Sequence, residues 1–204
     1  MAGLSNAGTS RSNAGMQPAN DPPDLSALVG AAAERRRLLP RADLHETGWS
    51  FWELRNVNMH RVVGLFSVDR APGSSSDLEA QIRDAIGRNF KRAWWRGLAY
   101  GVVVKVSAGA WTPEDLEPMV DVRESRRGVL QWLLIAAPDG RSAVGVHTWE
   151  QVYLSQVYRE TVQALDAAGC RVATAVKGKG GLLTFLTDVA ELRGVEIPEF
   201  HDQS

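Results

Sequence analysis

Apolar residues fall along this chain in two rhythms that alternate from about residue 61 onward. Near-continuous apolar runs cover residues 61–68, 98–107 and 128–137, with shorter ones at 142–146 and 171–176, as expected of strands buried in a sheet. Between them, Leu78, Ile82, Ile86 and Phe90 recur at the spacing of one helix face, and Trp149, Val152, Tyr153, Val157, Leu165 and Ala168 form a second such face.

Start and stop signals agree with this division. Ser76-Asp-Leu-Glu79 and Thr148-Trp-Glu-Gln151 read as capping boxes, in which a hydroxyl and a second side chain each satisfy an orphan backbone N–H. Gly97 and Gly169 stand where the two helices should close. Thr112-Pro-Glu-Asp115 opens a short helix, with proline in its first turn and acids at its positive end. Asp139-Gly140 between apolar runs predicts a hairpin, because glycine adopts positive φ without a Cβ clash. Strand, helix and strand over residues 61–107 predict a parallel crossover.

Upstream, residues 24–39 follow two prolines, carry Leu25, Leu28 and Val29, end in Glu34-Arg-Arg-Arg37 and stop at Pro40, as a short helix would. Downstream, residues 182–192 predict a third main helix. The expected fold is an α/β (α+β) sandwich, with a mixed sheet of about five strands and three main helices. It occupies residues 44–198 as one globular domain, with Trp49-Ser-Phe-Trp52 near its start, a short helix and linker at 24–40 before it and a frayed tail at 199–204. Residues 1–23 are mainly Gly, Ala, Ser, Asn and Pro, and bury too little to offset ordering entropy. They predict a disordered arm.

Composition excludes more than it selects. Lys and Arg number 23 against 24 Asp and Glu, a balance that argues against a nucleic-acid coat or a polybasic membrane binder and leaves charge to be read locally. One cysteine, Cys170, forbids an intrachain disulfide and a multi-cysteine zinc site and fits a reducing compartment, the cytoplasm of a cell or an infected host. No apolar run reaches the roughly 18 to 20 residues that cross a bilayer, and residues 1–16 lack the apolar centre of a signal peptide.

Two constellations carry candidate chemistry. The strand at 171–176 runs into Lys177-Gly178-Lys179-Gly180-Gly181 and the expected helix, where backbone N–H groups, a positive helix end and two lysines could hold an anion or phosphate. The spacing is neither a P-loop nor a dinucleotide turn, and a sharp connection with solvated lysines is the competing reading. The second is Arg88, Lys91, Arg92, Trp95 and Arg96, a basic helix end with tryptophans that suits nucleic acid, against the alternative of cations on a helix C-terminus and tryptophans in the core. Arg35, Arg36 and Arg37 are read as complementing a helix dipole rather than contacting phosphate.

His45, His60, His147 and His201 are scattered without metal spacing. His147 beside Glu150 reads as a helix-edge histidine bonded to backbone before it reads as a catalytic pair, and Cys170 as a packed side chain before a nucleophile. No catalytic residue, cofactor or metal is expected.

The order of elements over residues 76–176, helix, three strands, helix, strand, resembles the core of the restriction-endonuclease-like nucleases with their PD-(D/E)xK motif. That family holds Mg²⁺ with an acid on the second strand of this core and Glu/Asp-x-Lys on the third. The third strand here, Ser142-Ala-Val-Gly-Val-His147, has neither, so the resemblance implies a catalytically silent member and transfers no active-site residue.

The leading expectation is a non-enzymatic binding or assembly protein whose amino-terminal arm orders on a protein partner or sister subunit, as in a phage or other multi-subunit particle. Seven tryptophans, favoured at interfaces, support it. The alternatives are a nucleic-acid-associated protein with the nuclease-like core and an enzyme that binds a phosphorylated small molecule at residues 177–181. No membrane partner is expected.

Overall fold

The computed structural model describes residues 22–44, 46–68, 74–90, 97–106, 111–120, 128–148, 152–178 and 182–186. Helix α1 (Leu25–Arg35) leads into β1 (Leu39–Pro40), β2 (Trp49–Arg55) and β3 (Met59–Val68). Then come α2 (Ser75–Asn89), β4 (Gly97–Val106), α3 (Pro113–Leu116) with a 3-10 turn at Glu117–Met119, β5 (Val129–Ala136), β6 (Ser142–His147), α4 (Val152–Ala167), β7 (Arg171–Lys177) and β8 (Leu183–Leu186). All eight strands form one mixed sheet in sequence order.

Strands β3 and β4 are parallel, as the crossover through α2 predicts, and so are β4 and β5 and, across α4, β6 and β7. The remaining pairs are antiparallel. The β5–β6 hairpin turns where expected: Gly140 has φ +63, and its N–H donates to the Ala137 carbonyl at 3.0 Å. One register shift occurs, with Leu130 opposite Tyr100 but Trp132 opposite Gly101. Gln131 is thereby an extra residue, and this bulge brings Trp132 over a glycine.

Helices cover both faces. Val29, Ala32 and Ala33 of α1 and Leu154, Val157 and Tyr158 of α4 pack with Val63, Val103, Trp132 and Leu134. On the other face Leu78, Ile82 and Ile86 of α2 and Leu116 of α3 pack with Val62, Val102, Val104 and Leu133. Strand β5 is buried at all eight positions and β4 at eight of ten, which is why both read as near-continuous apolar runs.

The structure corrects several expectations. Among the described residues the sheet has eight strands rather than about five, and β2 lacks a clear strand period because Ser50, Glu53 and Arg55 interrupt its apolar run at the sheet margin. The helix expected over residues 182–192 is a strand at Leu183–Leu186, and residues 187–192 lie outside the described ones. The globular unit does not wait for residue 44: Leu25, Val29, Ala32, Ala33 and Leu38 are core residues. Alanines made α1 look weakly apolar, but they allow it to lie close to its neighbours. The cap of α2 is Ser74, whose Oγ accepts from the Asp77 N–H at 3.2 Å, two residues before the expected Ser76, and the helix ends at Asn89, ahead of Gly97. The short helix expected to open at Thr112 is α3, with the Asp115 carboxylate accepting from the Thr112 N–H and hydroxyl at 2.9 and 3.0 Å, and Gly169, at φ +83, follows α4 as expected. Residues 1–21 of the expected arm, the cap residues Trp149, Glu150 and Gln151 and the tail at 199–204 lie outside the described residues.

Asp24 caps α1, accepting from the Ser26 and Ala27 N–H groups at 2.9 and 3.2 Å. At the other end Arg37 adopts φ +62, and it is the non-glycine residue with positive φ among the described ones. The Leu38 N–H then donates to the Ala33 carbonyl at 3.0 Å, and the Leu38 side chain enters the core. Glycine is usual at such a position, and a left-handed L-residue costs about 1 to 2 kcal/mol.

Candidate binding surfaces

Strands β3, β4 and β5 begin, and β6 and β7 finish, at the same end of the sheet. Helix α2 also finishes there: the Phe90 ring meets His60 edge-on at 5.4 Å, and the Gly97 N–H donates to the Asn58 carbonyl at 3.1 Å. Arg88 and Lys177, members of the two clusters singled out in the sequence, therefore share one end of the sheet. The β4 and β7 positions there are three strands apart, about 14 Å. Lys91, Arg92, Trp95 and Arg96 lie outside the described residues.

Both cations already have partners. Arg88 pairs with Asp84 and, at 2.6 Å, with Glu46. The Lys177 Nζ donates to the Glu117 and Val120 carbonyls at 2.8 and 2.7 Å and lies 2.7 Å from the Glu117 carboxylate. It ties the 3-10 turn to β7, with its side chain 13% exposed. The Gly178 N–H donates to the Leu182 carbonyl at 2.9 Å, closing a hairpin into β8. The anion site loses its helix end here, because residues 183–186 form a strand paired with β7 rather than the first turn of a helix. Lys179, Gly180 and Gly181 lie outside the described residues.

A charged network that the sequence did not reveal sits at the β2–β3 margin. Glu53, 12% exposed, is 2.9 Å from the His60 Nε2, 2.5 Å from Arg41 and 3.1 Å from Arg55. Burial pushes the Glu53 carboxyl upward, but the hydrogen bonds and charges of His60 and Arg41 prevail and hold it below the ordinary carboxylate range. The pairing register is the reason: Arg55 faces His60 and Leu39 faces Glu53, bringing residues scattered through the sequence onto one small area. Glu53→Ala removes the carboxylate from a buried histidine and from Arg55, while Arg41 keeps Asp43, and costs about 2 kcal/mol in urea denaturation, less than a fully buried pair because the arginines are partly solvated. With the folded carboxyl depressed, its contribution is complete above about pH 4.5 and fades as the pH falls through the folded value.

The residues with nucleophile or base chemistry point the other way. His147 is 1% exposed, tilted by 31° against the Tyr158 ring at 4.6 Å, and burial pulls it down to about 3, so it is a neutral core side chain. Burial raises the Cys170 thiol, and the charges of Asp139 and Asp166 raise it further. Among the described residues no group of three His, Cys, Asp or Glu side chains could hold a metal ion, and no helix is long and apolar enough to cross a membrane.

Large apolar side chains are exposed at five described positions: Leu39, Val57, Tyr153, Leu182 and Phe185. Two of them, Leu182 at 75% and Phe185 at 52%, belong to β8 and its turn. Among the described residues β8 pairs with β7 alone, and Leu183-Thr-Phe-Leu186 contains neither charge nor proline. The opposite margin is blunted, because β1 is two residues long, contains Pro40 and is followed by Arg41. Comparison of the chain with protein-family models, with curated proteins and with solved structures finds no match.

Proposed function

We propose that the protein is a non-enzymatic assembly protein that joins a second copy of itself along β8. The carrying observation is the uncharged edge strand with Phe185 half-exposed on it, since sheet margins of soluble monomers are ordinarily guarded by charge, proline or extreme shortness. Antiparallel pairing of β8 with its own copy would be self-complementary, extending one sheet through a two-fold axis, and would bury Phe185 and Leu182. The inward placement of His147 and Cys170 supports binding over catalysis.

Light scattering of the full-length chain tests this. The expected mass is twice the 22.3 kDa of one chain, and Phe185→Lys returns it to a monomer. A wild-type chain that remains monomeric at every concentration reached ends the proposal. A chain beginning at residue 22 separates the arm from the edge, whereas one beginning at residue 44 would lack Leu25, Val29 and Leu38 of the core. Loss of assembly on deleting residues 1–21, with no effect of Phe185→Lys, would transfer assembly to the arm and refute the β8 contact.

A further inference from the structure

We propose that the corner where α1 ends and β2 turns into β3 binds the phosphate backbone of a single-stranded nucleic acid, with Arg37 and Arg61 on phosphates and Tyr153 against a base. The corner lies at the margin of the sheet away from β8, so this inference is independent of assembly.

Arg37 is the first observation. Arg35 and Arg36 are both held by the Glu160 carboxylate of α4, a distant ion pair where the sequence suggested only a helix dipole and solvent. Arg37 is exposed and has no ion pair among the described residues, yet it occupies the left-handed position where glycine would relieve strain. Strain retained at an exposed, unpaired arginine indicates a use for the side chain.

The second observation is on β3. The Arg61 guanidinium lies 4.6 Å from the centre of the Tyr153 ring and is partly buried, with its Nε enclosed and without a hydrogen-bond partner among the described residues, so that a ligand would meet the outer end of the guanidinium. Its Nη1 is 2.9 Å from the Asn56 side-chain oxygen in the amide orientation that satisfies both groups. Tyr153 remains 45% exposed. An aromatic face beside a cation suits a base and its phosphate, whereas a run of carboxylates would have no use for the ring.

Helix α4 relates the two observations in space. Tyr153 meets Arg61 and, seven residues on, Glu160 meets Arg36, so the two contacts share one stripe of the helix about 10 Å apart. Arg37 directly follows Arg36. Nearby charge is cationic in excess: Glu53, Glu160 and Asp43 are already bound to arginines, and Glu34 is exposed on the last turn of α1. Burial lowers Arg159, and the neighbouring Arg36 lowers it further, which fits a site of positive potential.

The test is fluorescence anisotropy of the full-length chain with a labelled oligothymidylate of about 12 nucleotides. Affinity is expected to fall with salt. Arg37→Gly should weaken binding about fivefold and shrink the salt slope by about 1, while raising the melting temperature, which separates loss of contact from loss of fold. Tyr153→Leu should weaken binding about tenfold with little change in the salt slope. No binding at low salt, an Arg37→Gly variant that gains stability at unchanged affinity, or equal competition by polyglutamate would each overturn the proposal, the last by assigning the corner to acidic protein.

Discussion

Gly101→Ala lowers the stability of the protein by at least about 3 kcal/mol in urea denaturation, the largest effect expected of any single added methyl group. Gly101 lies inside β4, paired with Val63 on one side and Trp132 on the other. A Cβ at this position would fall within the Trp132 indole, and that ring is fully buried with Tyr158 of α4 5.5 Å away. The neighbouring notch has the same form, since a Cβ on Gly145 would meet the Tyr158 hydroxyl, which is bonded to Thr174. The indole cannot retreat without displacing α4, so overpacking here moves a helix rather than a flexible side-chain tip. Gly101→Ala combined with Trp132→Leu should recover part of the loss, giving a coupling energy of opposite sign to the single effects. Gly87→Ala in α2 is the control: a Cβ there meets nothing within 4 Å, and helix propensity favours alanine by up to about 1 kcal/mol. Similar losses at both glycines would refute the account of how α4 sits on the sheet.

Lowering the pH from 7 to 5 costs the protein about 2 kcal/mol through His147 alone. In the folded chain burial depresses this histidine from its ordinary 6.5 to about 3. The unfolded chain takes up the proton below about pH 6.5 while the folded chain does not, so the unfolded state binds more protons and stability falls as the pH drops. The contribution is complete above about pH 6.5 and erodes down to about pH 3, where the folded histidine also charges. His147→Gln should lose some stability at pH 7 through imperfect packing against Tyr158, yet its stability should vary less between pH 7 and 5 than that of the wild type. Equal pH dependence in the two proteins would mean that His147 is not the buried neutral base described here.

Much of the fold was legible along the chain. Val102, Val103 and Val104 read as a strand buried on both faces, and β4 is central in the sheet. Asp139-Gly140 read as a hairpin because a positive φ has a residue-level signature, and Gly169 did the same for the end of α4. The errors cluster where neighbours decide. Leu183-Thr-Phe-Leu186 is too short for its apolar pattern to distinguish helix from strand, and pairing with β7 decided it. The binding surfaces were less legible. Lys177 was visible as a cation beside glycines, but its bonds to residues 117 and 120 arise from a chain separation of about sixty residues.

Local chemistry, repeated at helical or strand spacing, therefore determined by itself the kinds of element, most of their order and the parallel crossover through α2, because these depend on backbone propensity and burial period. Tertiary structure alone decided which cations are already neutralised, that Glu53 meets His60 and Arg41, that Arg37 is strained and that β8 forms a margin. Those outcomes depend on which distant residues come within bonding distance, and a one-dimensional pattern carries no record of that.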